Sequence, residues 1–179
     1  MNERRFFLQP FAPAGDPGDI RISGVISRRA GIFSIRYELG GRLDGLALAP
    51  PAAVPGRRNG LWEETCFEFF LAEKESPVYR EFNLSPSGNW NVYRFSDYRK
   101  DMREEETLES LPFRVARGPD ALKLSLEVDL GGILRADWPV EAAVSAVIRG
   151  KDGSTTYWAL THHGPRADFH HRDGFILQL

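Results

Sequence analysis

The sequence predicts an all-β protein, a sandwich of two antiparallel sheets with an immunoglobulin-like layout and at most short helical turns. Three observations carry that expectation. Apolar and polar residues alternate with a period of two in several segments, glycine and proline punctuate those segments, and the stretches that could be helical are short. With side chains pointing alternately to the two faces of a strand, such alternation leaves one face oily and the other wet, and two oily faces bury each other.

Taken in order, Ile20, Ile22 and the residues to Ile26 form a first strand, Gly31 supplies the turn, and Phe33, Ile35, Tyr37 and Leu39 alternate with Ser34, Arg36 and Glu38 in a second. Residues 47–60, which include Pro50, Pro51 and Pro55, read as a surface loop. Residues 65–71, 78–84 and 90–95 are three further strands. The last two are joined by Ser85, Pro86, Ser87, Gly88 and Asn89, where proline presets one dihedral and glycine takes a positive φ. Residues 104–110 are charged and read as a helical turn or two on the surface. Leu122, Leu124, Leu126, Val128 and Leu130 line one side of a half-buried strand, and residues 132–136 read as a single turn. Strands over 142–148, 155–160 and 175–179 complete a set of about nine, with a tight turn at Lys151, Asp152, Gly153 and Ser154.

The 179 residues suit a single domain, 1–179, large enough to bury roughly 70% of the surface its unfolded chain exposes. One cysteine, Cys66, cannot form an internal disulfide, which points to a reducing compartment. The apolar run Phe6, Phe7, Leu8 is cut short by Pro10, too early for a signal core, and the cytoplasm is the expected location. With 23 basic and 25 acidic side chains, the net charge of −2 argues against nucleic acid or an anionic membrane as partner.

Three groups of residues could carry chemistry. In an extended 65–71 segment, Thr65, Phe67, Phe69 and Leu71 share a core face, which puts Glu68 on the other face beside Cys66 and Phe70. A carboxylate there is either paired with an arginine or accepts from a ligand, and Cys66 reads as an inert filler. Tyr79, Glu81 and Asn83 form a row on one strand, while Trp90, Asn91, Tyr93 and Arg94 lie on its hairpin partner. An aromatic platform flanked by carboxylate and carboxamide groups suits a sugar, whose apolar faces stack on rings while its hydroxyls need acceptors and donors. A solvated face with ordinary cross-strand pairs has the same spacing, and Trp90 could instead cap the end of the sandwich.

The third group holds all four histidines, His162, His163, His170 and His171, with Asp168 and Asp173 among them. These could offer nitrogen and oxygen ligands to a divalent transition metal, but the spacing fits no strict signature, and adjacent histidines on an extended chain point to opposite sides. A loop bonding its own backbone and a loop touching a ligand are the other readings, and no metal ligand is assigned. Glu64, Glu68 and Glu81 could furnish a carboxyl pair for glycoside hydrolysis, yet no nucleophile motif or phosphate-binding loop is present, so catalysis is not expected and no catalytic residue is assigned.

A resemblance rests on these residues. Trp62, Glu64, Thr65, Cys66, Phe67 and Glu68, the run from Tyr79 through Trp90, then Tyr93, Arg94, Phe95, Tyr98, Arg99 and Met102, and the closing Asp168 to Phe175 together resemble the bacterial DOMON-like proteins. That group is related to DOMON domains and family 9 carbohydrate-binding modules, and the resemblance spans the chain from about Ile20 onward. It implies a β-sandwich that binds sugar or haem. Sugar would stack on rings drawn from Trp62, Trp90 and Trp158; haem would take Met102 and one histidine as axial ligands. The expected function is therefore a non-catalytic module for a sugar-like small molecule, bound by Trp62, Glu68, Glu81, Asn83, Trp90, Tyr93, Asp168 and His170. Haem binding is the alternative, followed by a glycoside-active enzyme or a protein-interaction domain.

Overall fold

The computed structural model describes residues 2–11, 19–29 and 31–179, which form a sandwich of two antiparallel sheets; among these residues the helical structure is limited to two 3-10 turns, at Leu61–Glu63 and Arg172–Gly174. Thirteen strands follow in chain order: β1 (Asn2–Phe7), β2 (Gln9–Pro10), β3 (Arg21–Arg29), β4 (Ile32–Gly40), β5 (Cys66–Glu73), β6 (Tyr79–Leu84), β7 (Trp90–Phe95), β8 (Arg103–Glu104), β9 (Phe113–Arg117), β10 (Ala121–Asp129), β11 (Val140–Arg149), β12 (Thr155–Ala159) and β13 (Leu177–Gln178). One sheet runs β1-β3-β4-β10-β9. The other runs β2-β12-β11-β5-β6-β7-β8, with β13 on β11. No helix among the described residues is long and apolar enough to cross a membrane.

The inward positions are those the alternation marks. Ile22, Ile26, Phe33, Ile35, Tyr37, Leu39, Leu122, Leu124 and Leu126 from the five-stranded sheet meet Phe67, Phe69, Leu71, Phe82, Leu84, Val92, Val144 and Ala146 from the other. At the centre Phe69 stacks on Phe33 at 4.9 Å and on Phe82 at 4.4 Å, the offset contact aromatic rings favour. The Tyr37 hydroxyl, buried in this layer, donates to the backbone carbonyl of Glu68 at 2.6 Å. Gly24 permits a close approach within β3: a β-carbon there would lie 2.0 Å from the carbonyl oxygen of Arg36 and 2.4 Å from the Phe6 ring.

The hairpin at 85–89 closes as expected, with Gly88 N–H donating to Ser85 O and Gly88 at φ 92°. Two expectations need correction. β1 and β9 are edge strands that sequence reading missed, because β1 carries Glu3, Arg4 and Arg5 on its way to a single buried Phe6 and β9 has only intermediate or exposed residues. Residues 104–110 are not a helix. Glu104 pairs in β8, Glu105 is drawn to the Arg80 guanidinium at 2.8 Å, and Arg57 donates to the carbonyls of Glu105 and Leu108, so these acceptors serve a side chain and not a helical ladder.

The eight-stranded sheet is buried on both faces. Its outer face carries Phe70, Ala72, Tyr79, Tyr93, Phe95 and Ala143, and these pack with Phe175 and Phe169 into a second apolar cluster. The segment between β7 and β8 and the segment between β12 and β13 lie over this face as a third layer. That explains why β5 is apolar almost throughout, where a half-exposed strand would alternate cleanly.

Candidate functional site

Between the outer face of the eight-stranded sheet and its covering loops lies a cavity of about 400 Å³. Five adjacent strands supply its floor: Tyr157 from β12, Val147 from β11, Glu68 from β5, Glu81 from β6 and Phe95 from β7. Register explains the convergence. Val147 faces Tyr157, and Glu68 and Glu81 are diagonal neighbours, since Glu68 pairs with Asn83 and Phe70 pairs with Glu81. The rim comes from outside the strands: Trp62 from the first 3-10 turn, Arg99 and Met102 from the β7–β8 segment, and Ala167, Phe169 and His170 from the β12–β13 segment. A wider groove of about 580 Å³ on the five-stranded sheet, lined in part by Ser34, Arg36, Phe113, Arg114 and Glu127, is open and contains no buried ionisable group among its lining residues.

The two carboxyl groups on the floor are unusual for a protein interior, because neither touches an arginine or lysine. Glu68 is 2% exposed; one of its oxygens accepts from Ser145 Oγ at 3.4 Å, and the other, Oε1, is buried with no partner among the described residues. Burial pushes its pKa well above the carboxylate range, and the neighbouring Glu81 pushes it further. Glu81 accepts from Asn83 Nδ2 at 2.9 Å and is raised by burial to about 7. Of the two readings of Glu68, the arginine pair is not found among the described residues, and the two carboxyls are partly protonated at neutral pH. They can donate hydrogen bonds as well as accept them.

His170 stands over Glu81. Tyr79 Oη accepts the Arg99 backbone N–H at 3.1 Å and shares a hydrogen bond with His170 Nδ1 at 2.8 Å. The other ring nitrogen, Nε2, faces Glu81 Oε2 at 3.7 Å. Burial, with help from Arg99, lowers the His170 pKa to about 4, so at pH 7 the contact joins a neutral imidazole to a carboxyl and is not an ion pair. Asp168 does not line the cavity. It accepts from Tyr98 Oη at 2.6 Å, from Arg99 Nη2 at 2.9 Å and from the His170 backbone N–H at 3.1 Å, and so fastens the two covering segments to each other. Burial alone would raise its pKa; Tyr98 and Arg99 outweigh that and hold it below the usual range.

Of the residues picked out by sequence, Trp62, Glu68, Glu81 and His170 line one cavity, and Asp168 braces its wall. Asn83 is fully buried beneath the floor, between Glu81 and the Cys66 thiol, which donates to Asn83 Oδ1 at 3.4 Å. Tyr93 is buried against Trp62 edge to face and hydrogen-bonds Asn59 and Asn91. Trp90 is not brought to the site. It faces the inter-sheet core at 6% exposure, with the Arg57 guanidinium 4.4 Å above its ring, because its neighbours in β7 place it on the side opposite Tyr93. Trp158 faces the core as well. Glu64 is exposed and does not line the cavity. Burial raises the Cys66 thiol pKa, consistent with an inert side chain. Sequence reading missed Tyr157, Phe95 and Phe169 as cavity residues, although the parity of β7 and β12 would have placed the first two on the right face.

A haem held between Met102 and a histidine does not fit these residues. Met102 and His170 do line the same cavity, but the two nitrogens of His170 are already directed to Tyr79 and Glu81, and the other three histidines do not line it.

Neither a protein-family profile nor a curated protein matches this sequence. Solved structures do match in fold. One, from Bacteroides uniformis and provisionally described as a carbohydrate-binding protein, superposes with a TM-score of 0.66 at 14% identity over 94% of this chain and 84% of that one. Another is a family 9 carbohydrate-binding module from Caldicellulosiruptor kristjanssonii in complex with cellotriose, with a TM-score of 0.55 at 8% identity over 90% of this chain and 74% of that one. The shared feature is the two-sheet sandwich.

Proposed function

We propose that this protein is a non-catalytic binding module for a sugar-like small molecule, held in the cavity between the eight-stranded sheet and its covering loops. The observation that carries the reading is the unpartnered Oε1 of Glu68 on a floor flanked by accessible aromatic rings. Trp62 and Tyr157 are 37% and 38% exposed and can take the apolar face of a pyranose, while Glu68 and Glu81, partly protonated, can both accept from and donate to its hydroxyls. The fold neighbours that bind carbohydrate support the same class of ligand, and the DOMON-like grouping and a cytoplasmic setting are proposed with it.

Isothermal titration against a panel that includes glucose, cellotriose and amino sugars tests the reading. Binding at micromolar to millimolar Kd is expected for at least one member, weakened about tenfold or more in Trp62→Ala and in Glu68→Gln. Absence of heat with every sugar would overturn the proposal, and release of a shorter sugar during incubation would replace it with a glycoside-active enzyme. A Soret band on adding haemin would restore the haem alternative.

A further inference from the structure

The four histidines divide into two pairs with different environments. His162 Nε2 donates to the carbonyl of Gln9 at 2.8 Å, its ring lies edge-on to Phe11, and His170 is held by Tyr79. Their sequence neighbours His163 and His171 point the other way and meet each other, ring centroids 5.2 Å apart and planes only 17° from parallel. Asp173 joins them, so that one nitrogen of each ring and one carboxylate oxygen all lie within 4.8 Å of one another. His171 caps the second 3-10 turn, which brings it beside Asp173, but no hydrogen bond of the loop accounts for the arrival of His163. His163 Nε2 is buried with no partner among the described residues, and His171 Nδ1 receives only a long bond, 3.4 Å, from the Asp173 backbone N–H.

We propose that His163, His171 and Asp173 form a three-ligand site for a divalent transition ion of the zinc class. Two imidazole nitrogens and one carboxylate oxygen match the preference of such ions, whereas calcium or magnesium would call for an all-oxygen shell. Bonds of about 2 Å in a tetrahedral site put the ligand atoms about 3.3 Å apart, so the present spacing must contract modestly on binding. Asp173 and His171, with side chains 73% and 44% exposed, have the freedom to do so. A solvent molecule would complete the coordination.

The position of the site gives it a role. Ala167, Phe169 and His170, which form one wall of the cavity, lie between His163 and His171 in the chain. An ion joining the two ends closes this short loop at its base and removes conformations in which the wall is displaced, since closure of a loop restricts the chain inside it. The site stands apart from the sugar reading, because its ligands do not line the cavity.

The test uses the full chain, stripped with EDTA and then titrated with Zn²⁺ by calorimetry and with Co²⁺ by visible absorption. One ion per chain with a Kd in the micromolar range or tighter is expected, with the visible bands of low-coordinate Co²⁺ and a rise in Tm at saturating Zn²⁺. Affinity should fall at least a hundredfold in His163→Ala/His171→Ala and about tenfold in Asp173→Asn, a surface change that leaves the fold intact. His162→Ala should bind as the parent does. Uptake of less than one ion per chain by the parent, or uptake unchanged in both His163→Ala/His171→Ala and Asp173→Asn, overturns the site. Sugar titrations of the parent both stripped with EDTA and loaded with Zn²⁺ report on the cavity in either state, so failure of either reading leaves the other decided on its own data.

Discussion

Glu81 holds its proton more tightly in the folded chain than in the unfolded one, where a glutamate titrates near its ordinary 4.5. Its folded value of about 7 is raised, so the stabilisation belongs to the protonated form: it is complete below about pH 4.5 and lost as pH rises through 7. Between pH 5 and pH 7.5 the loss from this group is about 2 kcal/mol, on a side chain nearly closed to solvent. Urea unfolding of the parent and of Glu81→Gln at these two pH values should show the pH difference shrinking by about that much in the variant. Glu68 titrates together with Glu81, so Glu68→Gln should flatten the profile in the same direction. Parity alone makes Glu68 and Glu81 legible in the sequence as two carboxyls sharing a face. The same parity separates Trp90 from Tyr93, and reading both as one platform overlooked it.

The covering segments are joined to the sheet and to each other through a few polar hubs. Tyr79 Oη links Arg99 to His170, and Asp168 links Tyr98 and Arg99 to the His170 backbone. Loss of Asp168 removes three acceptor contacts at once, so Asp168→Ala should loosen residues 96–102 and 164–173 together. Hydrogen exchange should quicken in both segments, with the amides of β5, β6 and β11 still protected; faster exchange in only one of them would break the link. Strands with period-two alternation, such as β4 and β10, were readable within a residue or two of their ends. The loop residues Arg99 and Phe169 were not readable as cavity residues, because a segment without a repeat gives no rule for the direction of a side chain.

At the scale of the whole molecule, both sheets converge on the stack of Phe33, Phe69 and Phe82. Phe69→Ala should cost about 3–5 kcal/mol, a large share of the 5–15 kcal/mol typical of a domain, and a loss of unfolding free energy in urea of less than a third of that would place the centre of the core elsewhere. The two-sheet architecture was legible because burial imposes its period on every inward strand. Its third layer was not, since a sheet covered on both sides loses the wet face that alternation reports.

A ladder of backbone hydrogen bonds fixes where Glu68, Glu81, Val147, Tyr157 and Phe95 stand, while Arg99, Met102, Phe169 and His170 ride on stretches that contribute little to that ladder. The protein is in this sense a scaffold with exchangeable fittings. Substitutions at Arg99, Met102 or Ala167, which line the cavity from the β7–β8 and β12–β13 segments, would reshape its rim, provided Phe169 and Phe175 stay to cover the apolar outer face of the sheet.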